Sequence, residues 1–398
     1  MRFRVDKKSG GRLSVLGFGC MRFPKNLGSP DIKKTGELIM DAVHGGVNYF
    51  DTAYIYPGSE EALGAVLAKN KVRDKVFIAT KLPVVLCRGP GDFDKYFDRQ
   101  LARLKTDHID YYLMHMLTDM ELWKKLRAWG IEEWLEEKKK RGKIGRGGFS
   151  FHGIQEEFLA LIDAYDWDFC QIQYNYSDEN FQAGVRGLKK AADKGLPVVI
   201  MEPLLGGKLA DGLPGEAVKI FAGVNPELSP AAWALRWLWN QEEVTVVLSG
   251  MGERGQLEEN MRLAGAAAPG MLTEKENQAF RDVLSVINAA YKIRCTGCNY
   301  CMPCPRHVNI PACFAAYNSS FTMGLIHGMK LYTTSAALSS ENTSGAGLCV
   351  KCGQCEKHCP QHIPIIRSLE AVRRRMEPFW YRGIISIARV LLGKTRRG

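Results

Sequence analysis

Residues 47–81 read VNYFDTAYIYPGSEEALGAVLAKNKVRDKVFIATK, and this stretch holds two short β-rich runs on either side of a helix-patterned segment. The first run is VNYF (47–50), the helical segment spans Ser59–Ala68, and the second run is VFIATK (76–81). Strand, helix and strand in this order are typical of a parallel sheet whose crossovers are helices. The stretch therefore predicts one βαβ unit.

The same alternation continues on both sides of this unit up to about Ala290. Further helix-compatible segments are Lys33–His44, Phe93–Leu104, Ile154–Ala164 and Gly184–Lys194. The eight candidate strands are LSVLGFG (13–19), VNYF (47–50), VFIATK (76–81), IDYYLMH (109–115), IGRGGFS (144–150), DFCQIQY (168–174), PVVIME (197–202) and VTVVLSG (244–250). This pattern predicts an α/β fold, an eight-stranded parallel (β/α)8 TIM barrel. A doubly wound sheet is the rival fold, but it would place a G-x-G-x-x-G turn after its first strand, and none stands there.

The chain has 398 residues, which favours two domains. After Arg294 the sequence becomes rich in Cys, and Asn277–Lys292 is typical of a helix joining the two parts. We therefore predict a barrel over residues 1–290, a Cys-rich domain over 291–375 and a basic tail over 376–398.

The formal net charge is +11, and 12 Cys are present. Such a charge suits a dinucleotide phosphate, an acidic redox partner or an anionic membrane surface, although a solvated basic surface is the more ordinary explanation. No basic run is interleaved with stacking aromatics, so we expect no nucleic acid partner. The first residues lack the apolar core of a signal peptide, no apolar run is long enough to span a bilayer, and eight Cys crowd into two short clusters. The expectation is a cytoplasmic protein with metal-binding cysteines.

Polar side chains follow three consecutive candidate strands at their C-terminal ends, where barrel enzymes build their sites. Asp51 follows VNYF, Lys81 ends VFIATK and His115 ends IDYYLMH, with Tyr54 and Tyr56 just beyond Asp51. Reducing a carbonyl requires a hydride donor and an acid, and a tyrosine can be that acid when an ammonium lowers its pKa. A histidine beside it can orient the carbonyl oxygen.

These residues resemble the aldo-keto reductase family, because DTAYIYPGSEEALG, FIATK and DYYLMH match its motifs in order and spacing over roughly the first 290 residues. The resemblance implies that Tyr56 is the proton donor and Lys81 the residue that tunes it. It also implies that Asp51 is the partner of the lysine and His115 the orienting residue, whereas Tyr54 occupies a non-catalytic position.

The same resemblance implies where a nicotinamide coenzyme binds. Ser150 and Gln171 match the pair that holds the carboxamide, MEPLLGGKL (201–209) matches the pyrophosphate stretch, and SGMGERGQLEEN (249–260) matches the adenosine grip. A helix start in the last segment suits phosphate. The implied nucleotide contacts are Ser150, Gln171, Met201, Pro203, Leu204, Ser249, Gly250, Arg254, Gln256, Glu259 and Asn260.

Three positions depart from the family pattern. The asparagine usual after the serine is Phe151, the aromatic that stacks on the nicotinamide is Met201, and the arginine for the 2′-phosphate is replaced by Gln256, with Arg254 close by. We expect NADP or NAD as the coenzyme, with NADP slightly favoured. His152 could serve as an extra acid, but a packed or solvated histidine is the more ordinary expectation.

The Cys-rich part carries CTGCNYCMPCP (295–305) and CVKCGQCEKHCP (349–360). The second is the C-x2-C-x2-C-x3-C-P run of two-cluster ferredoxins, in which the fourth Cys reaches the other cluster, and the first is one residue shorter. Zinc is the alternative, but a zinc ribbon would not need four Cys followed by Pro, twice. We predict two [4Fe–4S] clusters, one held by Cys295, Cys298, Cys301 and Cys359 and the other by Cys349, Cys352, Cys355 and Cys304.

Between Cys304 and Cys349 stand 44 residues, more than a small β-rich ferredoxin uses, so we expect a mainly helical ferredoxin-like domain. The other four cysteines are expected to be buried small hydrophobes: Cys20, Cys87, Cys170 and Cys313. The tail PFWYRGIISIARVLLGKTRR (378–397) is basic and amphipathic. It could pack on its own protein, dock a partner or make a peripheral membrane contact through Ile384, Ile385, Ala388, Leu391 and Leu392.

Nicotinamide transfers two electrons at once whereas each cluster carries one, and no flavin motif bridges this difference. Three hypotheses follow. The chain is a carbonyl reductase or alcohol dehydrogenase whose clusters are structural, or its clusters pass electrons between a ferredoxin or flavodoxin partner and the barrel mouth, or it is a non-enzymatic redox sensor. The tetrad argues against the sensor, since a sensor needs no proton donor. Substrate choice is expected to lie in rim loops, including the Trp-rich stretch Trp123–Trp134.

Overall fold

The structure is a computed structural model that describes residues 1–381 and Ile385, apart from Leu27, Ile154, Phe181, Met323 and 334–343. Most of the predicted apolar face of the tail lies outside these residues, namely Ile384, Ala388, Leu391 and Leu392. Within the described part of the chain, no helix combines the length and the apolar character that crossing a membrane would require.

The chain divides into two compact units. The first contains Met1–Leu204 and Ala231–Leu272, and the second contains Leu205–Pro230 and Thr273–Gly398. The predicted domain boundaries after residues 290 and 375 are drawn on sequence composition, and they stay predictions.

The first unit is built on a closed barrel of eight parallel strands, which neighbour one another in chain order from Leu16–Gly19 to Val244–Ser249, with the last strand paired to the first. The strands of the described residues are β1 Phe3–Val5, β2 Arg12–Ser14, β3 Leu16–Gly19, β4 Lys25–Asn26, β5 Ser29–Pro30, β6 Tyr49–Asp51, β7 Phe77–Leu82, β8 Ile109–Leu117, β9 Ile144–Phe151, β10 Phe169–Gln173, β11 Val198–Met201 and β12 Val244–Ser249. The pairs β1/β2 and β4/β5 are antiparallel additions outside the barrel. Each of the eight predicted runs overlaps one barrel strand, and four of the strands extend one or two residues further, which confirms the predicted fold.

The helices of the described residues are α1 Ile32–His44, α2 Ser59–Asn70, α3 Gly91–Leu104, α4 Met120–Ala128, α5 Ile131–Lys140, α6 Gln155–Leu161, α7 Gly184–Asp193, α8 Gly215–Val224, α9 Pro230–Trp239, α10 Arg254–Gly265, α11 Glu274–Ala290, α12 Ile310–Thr322, α13 Leu325–Tyr332, α14 Gln354–Lys357 and α15 Ile365–Met376. The expectation that Trp123–Trp134 forms a rim loop is wrong. Both indoles lie in helices and are buried, and Trp123 packs on Trp167 with 4.7 Å between ring centroids.

The pleat of the barrel strands explains why polar side chains gather at one end. Side chains from one face of the barrel strands pack together in a buried apolar cluster. It includes Tyr49, Ala79, Leu113, Phe169 and Val199. Side chains two residues apart on a strand point to the same face. The residues two positions further along these five strands are Asp51, Lys81, His115, Gln171 and Met201. The inward face therefore changes from apolar to mainly polar toward the C-terminal ends.

The second unit is helical. Its helix α11 begins after a capping box, in which Thr273 accepts from the Glu276 N–H and the Glu276 carboxylate accepts from the Thr273 N–H. Helix α8 packs on α11, and Phe221 meets Phe280 edge to face at 5.3 Å. The described C-terminal part contains helices α12–α15, and six of the eight motif cysteines belong to its buried core or pack against it, which confirms the mainly helical C-terminal domain.

Candidate active site and cluster sites

Asp51 and Lys81 form a buried ion pair at the end of adjacent strands β6 and β7. The Lys81 ammonium donates to both carboxylate oxygens of Asp51 at 2.7 Å and to the Thr52 carbonyl at 2.6 Å. Lys81 is 1% exposed and Asp51 is 4% exposed. Burial raises the pKa of Asp51, and the neighbouring ammonium opposes that rise. All three donor positions of the ammonium are used, so its place is fixed.

Tyr56 lies in the loop after β6, half-buried over this pair. Its N–H donates to the Ala53 carbonyl at 3.0 Å and its carbonyl accepts from the Ser59 N–H at 3.0 Å, so a tight turn sets its position. The Lys81 ammonium is 5.3 Å from the centre of the Tyr56 ring. His115 at the end of β8 meets the same ring edge to face, with 6.1 Å between centroids. The structure thus brings the four predicted catalytic residues together.

Tyr54 lies two residues away in a different environment. It packs edge to face on Tyr96 at 4.8 Å, and the Arg103 guanidinium lies 4.3 Å above its ring. Arg99 donates to its hydroxyl at 3.3 Å. These contacts are structural, in keeping with the non-catalytic position that the family resemblance implies.

Two histidines are held neutral at this site, His115 within the tetrad and His152 close to it. Burial, and secondly the charge of Lys81, lower the pKa of His115 well below the usual histidine value. The same two causes lower the pKa of His152 to about 4, and His152 in turn acts electrostatically on His115. A neutral imidazole can donate one hydrogen bond, which suits an orienting role. His152 is 7% exposed, so it is a packed histidine and not a solvated one.

The end of β8 is irregular where it approaches the predicted carboxamide site. The β8–β9 register shifts between Met114 and Leu117, and Met116 adopts φ 61°. The Met116 N–H donates to Ser150 Oγ at 2.9 Å. Non-glycine residues with positive φ are found disproportionately at functional sites, because the surrounding structure has to hold them there.

Gln171 supplies a test of whether a nicotinamide fits. Its side chain is 2% exposed, and its amide nitrogen faces the Met201 sulfur at 3.6 Å. Its Oε1 is buried and, among the described residues, meets no hydrogen-bond donor. A buried acceptor without a donor is costly, so it marks a place where a ligand N–H belongs. The carboxamide of a nicotinamide supplies such an N–H, and Ser150, Gln171 and Met201 would hold it.

The remaining predicted nucleotide contacts follow β11 and β12. Asn260 on α10 donates to Ser249 Oγ at 3.1 Å, and both are buried. Gln256 Oε1 accepts from the Gly252 N–H at 3.0 Å, and the exposed Arg254 pairs with Asp41 at 2.9 Å. The other four range from buried to exposed and stay predictions: Pro203, Leu204, Gly250 and Glu259.

One predicted cluster set converges in the second unit. One small cavity has thirteen lining residues, among them four cysteines: Cys295, Cys298, Cys301 and Cys359. Apolar side chains complete much of the wall, including Ile310, Phe314 and Ile365. Cys359, which comes from the second motif, therefore lies with the first three cysteines of the first motif. Four thiols around one apolar cavity fit a cubane cluster.

The other predicted set is more open. The thiol of Cys355 interacts electrostatically with Cys349 and with Cys304 of the first motif, and Cys352 is exposed. Burial raises the pKa of Cys301 to about 12 and that of Cys355 to about 11. Iron would reverse this, because ligand thiols are deprotonated on binding. The four cysteines outside the motifs are all buried: Cys20, Cys87, Cys170 and Cys313.

The tetrad had clear sequence signals, but some of its supports did not. Thr52 acts through its backbone carbonyl, which no side-chain pattern reveals. His152 was visible as a residue type, and only the fold shows that it is buried near Lys81.

Comparisons with known proteins agree with this geometry. The chain is 31% identical over 245 residues to the uncharacterized oxidoreductase YrpG of Bacillus subtilis, a match covering 56% of this chain and 71% of YrpG. Aldo-keto reductase AKR11C1 from Bacillus halodurans, in its holo form, has a TM-score of 0.59 at 23% identity, covering 71% of this chain and 96% of that one. An aldo-keto reductase from Klebsiella pneumoniae in complex with NADPH has a TM-score of 0.58 at 21% identity, covering 71% and 95%. At such identities the structural matches establish the fold alone.

Family profiles extend the comparison to both parts of the chain. The profile of the Aldo/keto reductase family matches residues 15–283, and that of the 4Fe-4S dicluster domain matches residues 294–363. The first match spans well over half of the chain and includes all four residues of the tetrad. This protein therefore belongs to the aldo/keto reductase family and is an oxidoreductase that carries a C-terminal 4Fe-4S dicluster domain.

Proposed function

We propose that this oxidoreductase reduces a small carbonyl compound, or oxidises the corresponding alcohol, with Tyr56 as the proton donor. The observation that supports this most directly is the buried Asp51–Lys81 pair beneath the Tyr56 ring. An ammonium held beside a phenol stabilises the phenolate that forms when the proton leaves. The tetrad also supports an enzyme over a non-enzymatic sensor, because nucleotide sensing alone requires no proton donor.

A bound nicotinamide would supply the hydride, and the protein residues would do the rest. Tyr56 Oη gives its proton to the developing alkoxide oxygen, and Lys81 stabilises the phenolate left behind. Asp51 keeps the ammonium in place and charged. His115, kept neutral by burial, donates one hydrogen bond that can orient the carbonyl oxygen.

We propose NADP(H) as the coenzyme, slightly favoured over NAD(H). The orphan Oε1 of Gln171 supports a nicotinamide in either case. The Klebsiella pneumoniae relative was solved in complex with NADPH, and Arg254 begins helix α10 where a 2′-phosphate would profit from a cation. We further propose a cytoplasmic location, because clustered cysteines that hold iron need a reducing compartment.

The test starts from anaerobic purification with iron and sulfide counting, followed by NADPH and NADH oxidation against a panel of aldehydes and ketones. Tyr56→Phe removes only the hydroxyl, and we expect kcat/KM to fall on the order of 10²- to 10⁴-fold. Tyr54→Phe is the matched control and should retain near-normal activity, because its hydroxyl accepts from Arg99 at 3.3 Å and, among the described residues, from no member of the tetrad. If Tyr56→Phe keeps wild-type activity on every substrate that the wild type reduces, the proposed role of Tyr56 is wrong.

A second candidate function is electron transfer between the clusters and a ferredoxin- or flavodoxin-like carrier. The observation in its favour is that Cys352 is exposed, so one cluster would reach the surface. A purely structural cluster has no need of an exposed ligand. Cys349→Ala separates the two functions. Carbonyl reduction that survives loss of this cluster requires no relay, whereas bleaching of wild-type cluster absorbance by NADPH under anaerobic conditions would rule out purely structural clusters.

A further inference from the structure

The two cysteine motifs differ in the charge of their own sequence segments. Residues 295–304 contain no charged residue. Residues 349–376, which hold the second motif and helix α15, contain six Lys or Arg and two Glu, a net charge of +4. The second motif and α15 therefore form a markedly basic segment of the dicluster domain.

The same part of the domain is the exposed one. Cys295 and Cys359, both ligands predicted for the other cluster, are 8% and 9% exposed, whereas Cys352 is exposed. Val350, two residues before Cys352, is 57% exposed. An apolar side chain at the surface, two residues from a cluster ligand and next to Lys351, has the composition of a docking site for a redox partner.

The cations are organised by contacts between the motif and α15. Lys351 pairs with Glu370 at 2.5 Å, and both side chains remain largely exposed. Lys351, and then Arg374 and Arg373, lower the pKa of Glu370, so all three cations surround one carboxylate. We call these three exposed residues, Lys351, Arg373 and Arg374, the basic patch.

Arg375 is a useful contrast within the same helix. It donates to Ser320 Oγ at 2.7 Å, and its guanidinium lies 4.0 Å over the Phe321 ring. Arg375 therefore holds α15 against α12, whereas Arg373 and Arg374 face solvent. Exposed cations that make few internal contacts add little to stability. Their clustering is better explained by a partner than by folding.

We propose that the basic patch is the docking surface for a small acidic electron carrier of the ferredoxin type. This proposal rests on the second candidate function above. The reduced carrier would give one electron to the cluster held by Cys349, Cys352, Cys355 and Cys304, so the carrier is oxidised by one electron and the cluster reduced by one. No bond forms or breaks, and no proton moves. Redox encounters of this kind use small interfaces, and opposite charge governs their association rate.

Arg373→Glu with Arg374→Glu tests the surface, in the full-length holoprotein under anaerobic conditions. Stopped-flow absorbance follows electron exchange with a plant-type [2Fe–2S] ferredoxin in both directions, each starting with one protein reduced. We expect the second-order rate constant to fall on the order of ten-fold at low ionic strength. The difference should close in about 0.5 M salt, where charges more than a few ångströms apart are screened.

Lys33→Glu with Lys34→Glu is the matched control. These two lysines are also adjacent and exposed, they begin helix α1 in the first unit, and their reversal changes the net charge by the same amount. We expect the control to lose less than about two-fold, because steering depends on where the charge lies. Iron content and the rate of reduction by dithionite should be the same in both variants, which verifies that the clusters are intact.

Each outcome decides one part of the proposal. The proposed docking surface would be wrong if the rate constant fell equally in the two variants, or if it did not fall in the Arg373→Glu, Arg374→Glu variant. Electron transfer through the cluster would not be contradicted by either result. Absence of exchange with wild-type protein in both directions would overturn the second candidate function itself. If the wild type binds vesicles of anionic phospholipid, the patch variant does not, and ferredoxin exchange is equal in both, then the patch binds membranes and the proposal is wrong.

Discussion

Replacing Lys81 with Met isolates the electrostatic part of the proposed mechanism. Methionine keeps the length of the side chain and removes its charge. In the wild type the ammonium donates to Asp51 and Thr52 and lies 5.3 Å from the Tyr56 ring centre. The variant therefore loses the charge that stabilises the Tyr56 phenolate, while the tyrosine itself is untouched.

The size of the effect follows from this distance. With the ring centre taken as the position of the phenolate charge, two unit charges 5.3 Å apart interact by about 3 kcal/mol at an effective dielectric constant of 20, and by about 0.8 kcal/mol in bulk water. Tyr56 is half-buried, so the value lies between these limits. Since about 1.4 kcal/mol corresponds to a factor of ten, kcat/KM should fall roughly ten- to hundredfold. Asp51, whose pKa burial already raises, should take up a proton once its partner is gone.

The assay is NADPH oxidation with the best carbonyl substrate, with kcat and KM resolved and coenzyme affinity measured by fluorescence. Lys138→Met is the matched control, because Lys138 is also mostly buried, pairs with Asp94 at 2.7 Å and lies 5.6 Å from an aromatic ring, that of Trp134. We expect the loss at Lys81 to fall mainly on kcat, with coenzyme binding unchanged. Activity of Lys81→Met within two-fold of wild type would refute the reasoning, and so would an equal loss in Lys138→Met.

Three further predictions concern pH and the clusters. The pKa of His115 lies well below its usual value and that of His152 is about 4, so neither imidazole should gain a proton between pH 5.5 and 7.5. A pH profile of kcat/KM should therefore show no step near the usual histidine pKa of about 6.5, and a half-maximal point there would contradict this. Cys359→Ala should lose about half of the iron and sulfide while the buried Cys313→Ala keeps all of it, and equal contents in the two variants would disprove the ligand assignment. Lys208 acts electrostatically on Cys295, so Lys208→Met should lower the reduction potential of one cluster by on the order of 30 to 100 mV. A redox titration followed by electron paramagnetic resonance measures this, and unchanged potentials would exclude an influence of Lys208.

The barrel was predictable because each of its strands has a recognisable pattern in the local sequence. VFIATK is a continuous apolar run that ends in a charged residue, and the structure has β7 over Phe77–Leu82. A parallel strand buried on both faces produces such runs, and a following loop that carries the site produces the polar end. The tetrad was predictable for the same reason, since Asp51, Lys81 and His115 each lie near the C-terminal end of a strand.

The parts that sequence reasoning missed depend on contacts between distant residues. An indole fits a rim loop or a helix interface equally well, and only the packing of Trp123 on Trp167 decides between them. The burial of His152 is likewise a tertiary property. The grouping of Leu205–Pro230 with the C-terminal segment arises from the packing of α8 on α11, and no composition change marks residue 205 in the sequence.

The chemistry of the two halves leads to a final prediction about whether electrons cross between them. The tetrad needs only a hydride and a proton to reduce a carbonyl, and each of its members is positioned by contacts within the first unit. Lys81→Met should therefore slow carbonyl reduction and leave ferredoxin exchange at the wild-type rate, whereas Arg373→Glu with Arg374→Glu should do the reverse. If the two functions are separate, measuring both rates in both variants should show that each variant loses one rate and keeps the other. If carbonyl reduction instead falls in the patch variant when reduced ferredoxin is the sole electron source, and not when NADPH is, then the clusters deliver electrons to the barrel chemistry.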